Sequence, residues 1–396
     1  MQRTIRVKLQ PTTEQATALC GTVDLFTESF NEVCRIGWDA GERNSIRLHH
    51  LSYRKLKGRL PALVSDLHIQ ARVKAAEAIG SAVALLKKGR KVSCPKSKSC
   101  PPRYNLHTFK VDWESGLVKL STIAGRLSLP FFVPDYYRPM LAGKVCTADL
   151  ILSRRGTWWL HVVIETPTPE VPASNIAVGV DLGITRPAVT SDGSFLGDRR
   201  WREVESRIFR QKRQCQSKGT QSAKRRLRIL RGKQARFRRD CDHVLSRCIV
   251  DSVPAGGTIV MEDLTHIRER VKARKRQRRR LHGWSFAQLK SFVGYKAEAR
   301  GCRVESIDPR YTSQTCCMCG FKHRSNRKSQ SLFKCRQCGF TLNADLNGSR
   351  NIRARFLGIF GKPVDARLSP TSPTNVHAFN AGESSTCKPS ALADGR

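Results

Sequence analysis

Two Cys-x-x-Cys pairs stand close together late in this chain, TCCMCG at 315–320 and KCRQCG at 334–339, each ending in Gly. Fifteen residues lie between Cys319 and Cys335, a spacing that suits two knuckles closing on one zinc ion. Cys316, Cys319, Cys335 and Cys338 have matching two-residue gaps, so Cys317 falls out of register and is read as a bystander. Four thiolates leave no open coordination position, which makes such a site structural rather than catalytic. The chain has 15 cysteines, an odd count without a secretory signal, and this predicts reduced thiols in a cytoplasmic setting. Cys20, Cys34, Cys146, Cys215 and Cys302 are expected to be small buried hydrophobes. Cys94 and Cys100, in a Pro-rich loop without a second pair, are read as ordinary thiols.

Charge narrows the partners. The chain carries 72 Lys and Arg against 32 Asp and Glu, a formal net charge of +40. Such an excess destabilises a compact state through self-repulsion unless a polyanion neutralises it. Nucleic acid is the polyanion that best fits, because each phosphate met by Lys or Arg releases counterions. No run approaches the ~18 apolar residues of a membrane span, and MQRTIRVKLQ lacks the apolar core of a signal peptide. A soluble protein without a membrane partner is expected.

Along the 396 residues the texture changes several times. RTIRVKLQP reads as an alternating strand, and from Thr12 to about Arg90 apolar residues recur at helical spacing, with Thr12 or Thr13 as the cap. Short alternating runs from Lys91 to Thr166 (TFKVDW, LVKLSTI, ADLILSRR, TWWLHVVIE) predict a β-barrel or meander. PTPEVPAS at 167–174 reads as a linker. The stretch from about Pro363 lacks periodicity and predicts disorder.

Between those ends lie three acids in distinctive surroundings. IAVGVDLGIT at 176–185 has the continuous apolar character of a strand buried on both faces, with Asp181 inside it. GGTIVMEDL at 256–264 repeats the pattern with Glu262 at the strand end, and TLNADLNGSRNI puts Asp345 where a polar turn enters a helix. Singly, each is a cap or turn former. Together they suggest a divalent-metal cluster, since a buried carboxylate needs neutralising and Mg²⁺ takes hard oxygen ligands. Two such ions ~3.5–4 Å apart can activate water and stabilise the leaving oxygen of a phosphodiester.

These elements in this order (DLGI, VMEDL, YTSQTCCMCG, KCRQCG, ADLNGSRNI) resemble the TnpB nucleases of bacterial transposons. The compact type V CRISPR effectors share that architecture. HGWSFAQLKSFVGYKAEARG at 282–301 is also similar to the family stretch after the second acid. The likeness is close from about Ile176 to Ile352 and looser before it.

The resemblance implies an α/β fold plus β-barrel and α-helical modules. An RNase H-like RuvC nuclease domain (175–312 and 343–362) would be interrupted by a zinc ribbon (313–342) that binds target nucleic acid. A wedge β-barrel (1–11 and 91–170), carrying a helical recognition insertion (12–90), would precede it, with a tail at 363–396. It further implies that Asp181, Glu262 and Asp345 are the metal-binding catalytic triad, served by two Mg²⁺, while Cys316, Cys319, Cys335 and Cys338 hold a structural Zn²⁺. The last motif departs from the family in one respect. Asn343 stands where a further acid is often found.

VKARKRQRRRLHG at 271–283 is the densest cationic run. In isolation it would be a solvated helix face, but directly after Glu262 it is expected to meet phosphates, through Arg270, Lys272, Arg274, Lys275, Arg276 and Arg278. The basic stretch Arg199–Val250 is a candidate for the same role. Trp284, Phe286, Phe292 and Tyr295 have helical spacing and are read as core rather than as base-stacking platforms. The resulting expectation is an RNA-guided DNA endonuclease that binds a guide RNA, engages double- and single-stranded DNA, and cuts beside a short flanking motif. Two rivals remain, an RNA-independent transposase or resolvase and a non-cleaving DNA-binding regulator of the same fold.

Overall fold

The computed structural model describes residues 1–362 except 173, 199, 266, 268–277, 279 and 280. The chain divides into two compact units, Met1–Pro167 and Thr168–Arg396.

In the first unit, β1 (Gln2–Leu9) is followed by three helices, α1 (Thr13–Asp39), α2 (Ser45–Arg59) and α3 (Ser65–Lys87). Thr12 caps α1 through a capping box. Its hydroxyl accepts from the Gln15 N–H, and the Gln15 side chain accepts from the Thr12 N–H. Six strands come next: β2 (Arg103–Tyr104), β3 (Phe109–Asp112), β4 (Leu117–Thr122), β5 (Gly125–Phe132), β6 (Lys144–Leu152) and β7 (Trp158–Glu165). The sheet order is β2-β6-β7-β1-β5-β4-β3, and β1 pairs with both β5 and β7. The helices are therefore inserted between the first strand and the rest of its own sheet. Alternation in β1 buries Ile5, Val7 and Leu9, which join Phe26, Leu120 and Leu160 in a core shared with the helices.

In the second unit, the first strand β8 (Ala177–Asp181) pairs antiparallel with β9 (Ala188–Thr190), which pairs with β10 (Phe195–Leu196). The basic stretch forms two helices, α4 (Arg200–Lys218) and α5 (Gln221–Asp251), the second capped by Thr220. They are joined through Glu205, which accepts two hydrogen bonds from Arg238 and one from Gln234. Then follow β11 (Thr258–Glu262), α6 (Phe286–Glu298), β12 (Arg303–Ile307), β13 (Leu332–Lys334), β14 (Thr341–Asn343) and α7 (Ala344–Phe356). The sheet order is β10-β9-β8-β11-β12, with β8, β11 and β12 parallel.

Strand alternation sorts the side chains of β8 and β11 onto two faces. Val178, Val180, Ile259 and Met261 pack with Leu245 and Ile249 of α5 and Leu289 and Val293 of α6. Ala177 and Val260 pack with Ile352 of α7 on the opposite face. Gly179 lies where α7 crosses, so close that an added Cβ would stand 2.2 Å from the Ser349 carbonyl oxygen. The two faces together account for the apolar run around an acid.

The cysteine expectation holds for Cys34, Cys215 and Cys302, which are buried. It fails for Cys20, exposed on the side of α1 away from its buried neighbours, and for Cys146. Cys146 is only half-buried because it sits in a β-bulge, where the β6–β7 register shifts between Val145 and Thr147. Among the described residues no helix is long and apolar enough to cross a membrane.

Candidate metal centres

Three carboxylates meet at one end of the second unit's sheet. Asp181 continues the face of Ala177 and Gly179, and Glu262 continues the face of Val260, so both point toward α7. The parallel register pairs Met261 with Val180, which puts Asp181 and Glu262 side by side on strands ~4.8 Å apart. Asp345 arrives from the other direction in the first turn of α7, and Gly348, one turn on, lies against the Asp181 carboxylate. Asn343 caps α7, its side-chain oxygen accepting from the N–H groups of Asp345 (3.0 Å) and Leu346 (3.2 Å). The residue that departs from the family pattern thus fixes the helix start that carries the third acid.

The electrostatics of this cluster are unfavourable to three bare charges. Burial pushes the Asp181 carboxyl well above the usual carboxylate range, and repulsion from Glu262 and Asp345 pushes it further. Burial raises Glu262, while a 2.6 Å hydrogen bond from the Thr312 hydroxyl and the charges of Arg355 and Arg327 pull it back. Burial likewise raises Asp345 against the pull of Arg327 and Arg186. Arg327 is the counter-charge in contact, its guanidinium donating to Asp345 Oδ1 at 3.0 Å. Oxygen donors short of positive charge have the chemistry that a hard divalent cation takes, while the described residues already gathered closely enough to share one ion are Cys316, Cys319, Cys335 and Cys338. A recess of about 320 Å³ opens beside Glu262, lined among others by Leu182, Met261, Phe286 and Lys290.

Between β12 and α7 lies the second candidate centre. The Sγ atoms of Cys316, Cys319, Cys335 and Cys338 all lie within 4.8 Å of one another. Cys316 is 3.8 Å from Cys338 and Cys319 is 3.5 Å from Cys335. A tetrahedral site with Zn–S bonds of about 2.3 Å needs sulfurs about 3.8 Å apart, so these two pairs already stand at the separation that zinc requires. Each knuckle closes through a glycine with positive φ, Gly320 at 76° and Gly339 at 74°, a conformation that other residues resist. Burial pushes the Cys335 thiol up, but the N–H groups of Cys338 and Gln337 outweigh it and hold the group at about 7. Cys317 lies outside the cluster; its N–H donates to Asn347 Oδ1.

The two centres are fastened together. Asn347 and Asn351, both buried and one turn apart on α7, hold the entry to the cysteine module. Asn347 donates to the Thr315 carbonyl, and Asn351 donates to the carbonyls of Thr312 and Thr315. Thr312 in turn donates to Glu262, and Arg327, between the knuckles, reaches Asp345.

Thr312, Arg327, Asn347 and Asn351 are not picked out by sequence pattern. Thr312, Asn347 and Asn351 do sit inside the quoted motifs, but Arg327 belongs to none. Of the cationic residues singled out in sequence, Arg270, Lys272, Arg274, Lys275 and Arg276 lie outside the described residues, as does the segment 363–396. Arg278 is described and exposed. Trp284 and Phe286 pack half-buried against the core, and Phe292 stacks on His243 at 4.0 Å.

Two family models match this chain: the Cas12f1-like TNB domain over residues 286–352 and OrfB_IS605, described as a probable transposase, over residues 161–268. The chain is 37% identical over 219 residues to a CRISPR-associated endodeoxyribonuclease Cas12f1 of Sulfoacidibacillus thermotolerans, covering 50% of each protein. It is 31% identical over 259 residues to the putative RNA-guided DNA endonuclease InsQ of Escherichia coli K12, covering 60% of this chain and 63% of that one. The chain thus spans roughly half to two thirds of the length of these curated relatives. Among solved structures, a Cas12f1–sgRNA–target DNA complex matches with a TM-score of 0.62 at 17% identity, covering 85% of this chain and 81% of that chain. That likeness shows the fold, with its α/β, barrel and helical modules. The resemblance to TnpB and the compact type V effectors, read from the motifs, is borne out.

Proposed function

We propose that this chain is an RNA-guided DNA endonuclease, which binds a guide RNA and cleaves complementary DNA beside a short flanking motif. The observation that carries the reading is the convergence of Asp181, Glu262 and Asp345 on one face of the sheet, in a chain similar to proteins named as such nucleases. The +40 charge supports nucleic-acid partners on both counts, since guide and target are polyanions. Residues 1–11 and 91–170 are read as the wedge barrel, 12–90 as the recognition insertion, 175–312 and 343–362 as the nuclease domain and 313–342 as the ribbon.

The three carboxylates are the ligands for Mg²⁺, and the four cysteines are the ligands for a structural Zn²⁺. When bound at the triad, Mg²⁺ supplies activation of a water and stabilisation of the leaving oxygen. The protein's own groups do the positioning. Thr312 fixes the rotamer of Glu262, Asn343 holds the turn that presents Asp345, and Arg327 keeps a cation beside the site. A phosphodiester drawn to the centre would meet the Arg327 charge beside the acids, where a held cation stabilises developing negative charge. A cytoplasmic setting fits the free thiols of Cys34, Cys94 and Cys100.

The test is to express the chain with its native flanking DNA, sequence the RNA that copurifies, and assay cleavage of the matching target with Mg²⁺. One discrete RNA, with cleavage by wild type and none by Asp181→Ala, is the expected result. Heterogeneous RNA or none, in a protein that still binds DNA, would favour an RNA-independent transposase or a regulator instead.

A further inference from the structure

Tyr311 is the one non-glycine with positive φ among the described residues, at 65°. The residue is nonetheless 48% exposed, so the side chain is not buried in a core that would account for the strained backbone. The conformation is pinned from below. The Tyr311 carbonyl accepts from the N–H groups of Gln314 and Thr315 and from the Thr315 hydroxyl, at 3.0–3.1 Å. A turn of this kind is satisfied by Gly or Asn, so the fold does not call for an aromatic side chain here. Strain held by the surrounding structure around an exposed group points to use rather than packing.

Two further observations say what the use is. The Lys322 ammonium lies 4.1 Å from the Tyr311 ring centroid, held there by the bridge pairing Thr315 with Lys322 and by the Cys316–Phe321 backbone bond in the first knuckle. An exposed ring with an exposed cation against it matches what a nucleotide offers, a flat base and a phosphate. The neighbouring residue, Thr312, is hydrogen-bonded to Glu262. Tyr311 is therefore next in the chain to a residue that touches the acidic centre.

We propose that Tyr311 and Lys322 form a platform for the single DNA strand led to the acidic centre, with one base stacked on the Tyr311 ring and an adjoining phosphate at Lys322. The inference rests on the nuclease reading above and adds to it the feature that holds the strand. It requires no sequence preference, because every base has a face to stack.

The test uses the full protein with its guide RNA. In the Asp181→Ala background, which cannot cut, 2-aminopurine is placed at successive positions of the displaced strand. Quenching at one position is expected, retained by Tyr311→Phe and lost in Tyr311→Gly. In the background with all three acids present, Tyr311→Gly should slow cleavage at subsaturating target by roughly 5- to 150-fold, the loss of one base–aromatic stack. Its melting temperature should equal or exceed that of wild type, because glycine relieves the strain. A structural role for the ring predicts the reverse, a lower melting temperature with unchanged quenching and cleavage, and that result overturns the platform. Should Tyr311→Gly fold poorly, Tyr311→Asn, which also tolerates this backbone, gives the same comparison. A wild-type complex that cleaves while no position depends on the ring refutes the platform alone. One that neither cleaves nor carries a discrete RNA removes the nuclease reading and the platform with it.

Discussion

Gly179→Ala isolates the contact on which the geometry of the acidic centre depends. The new methyl group would stand 2.2 Å from the Ser349 carbonyl oxygen, 2.6 Å from the Arg353 nitrogen and 3.1 Å from the Arg353 Cβ. The two nearest are backbone atoms of α7 and cannot rotate aside. Ordinary contact begins at 3.4 Å, so α7 must withdraw by about 3.4 − 2.2, or 1.2 Å, and it carries Asp345 away from Asp181 and Glu262. Overpacking of this kind costs ~1–3 kcal/mol, offset by ~0.5–1 kcal/mol from replacing a strand glycine. A net loss of ~0–2.5 kcal/mol corresponds to a fall in Tm of at most about 10 °C for a unit of this size. Activity should suffer more, because a ~1 Å displacement of reacting groups costs ~100-fold, or ~2.7 kcal/mol. Calorimetry and single-turnover cleavage across a Mg²⁺ titration, both well below the variant's Tm, measure the two losses separately. The reasoning is wrong if the variant cuts within a few-fold of wild type at the same Mg²⁺ concentration.

Other consequences follow from the same centre. Because the carboxyls of Asp181, Glu262 and Asp345 are raised in the folded protein, their contribution to stability is fully present below the ordinary carboxylate range and is lost as pH rises through the raised values. In Mg²⁺-free buffer without a chelator, so that the zinc of the cysteine site is not stripped, Tm should therefore fall as pH climbs from ~4 toward neutrality, by an amount that Mg²⁺ reverses and Asp181→Asn reduces; equal slopes in wild type and Asp181→Asn would count against it. Asp181→Asn should also raise the Mg²⁺-free Tm at pH 7 while abolishing cleavage, a trade-off read by differential scanning calorimetry and a nicking assay. Thr312→Val keeps the shape but removes the hydroxyl bonded to Glu262, and should weaken divalent-cation binding ~10- to 100-fold by titration calorimetry. Cys335→Ser should lower the zinc content measured by elemental analysis and the Tm together, as expected where metal binding is part of folding.

Much of this was legible in the sequence, for identifiable reasons. A carboxylate that ends a run of apolar strand residues can be read without a structure, and Asp181 and Glu262 both announce themselves that way. The cysteine knuckles are legible because a Cys-x-x-Cys-Gly turn is a local structure whose geometry depends on its own five residues. What could not be read is what depends on register and crossing. That Asp181 and Glu262 lie level follows from the pairing of Met261 with Val180, which no local pattern encodes. Arg327 is 18 positions before Asp345 in a segment chosen for its cysteines, and its contact exists only because the ribbon folds back onto α7. Cys146 escaped prediction because a bulge, not strand alternation, sets its exposure.

The placement of the cysteine module between the second and third acids then has a physical rationale. A centre of three half-buried or buried carboxylates is costly until it is neutralised, and among the described residues the cation seen in contact with Asp345, Arg327, comes from outside the sheet. The residues running from β12 to α7 supply one. They leave β12 beside Glu262, give it the Thr312 hydroxyl, bring Arg327 back to Asp345, and rejoin the fold at Asn343, which caps the helix carrying that acid. Asn347 and Asn351 bind the start of that path to the helix at its end. The cysteine module and the acids are therefore joined by a continuous set of hydrogen bonds through Thr312, Arg327, Asn347 and Asn351. The ribbon is part of the acidic centre's construction, whatever else its outer surface binds.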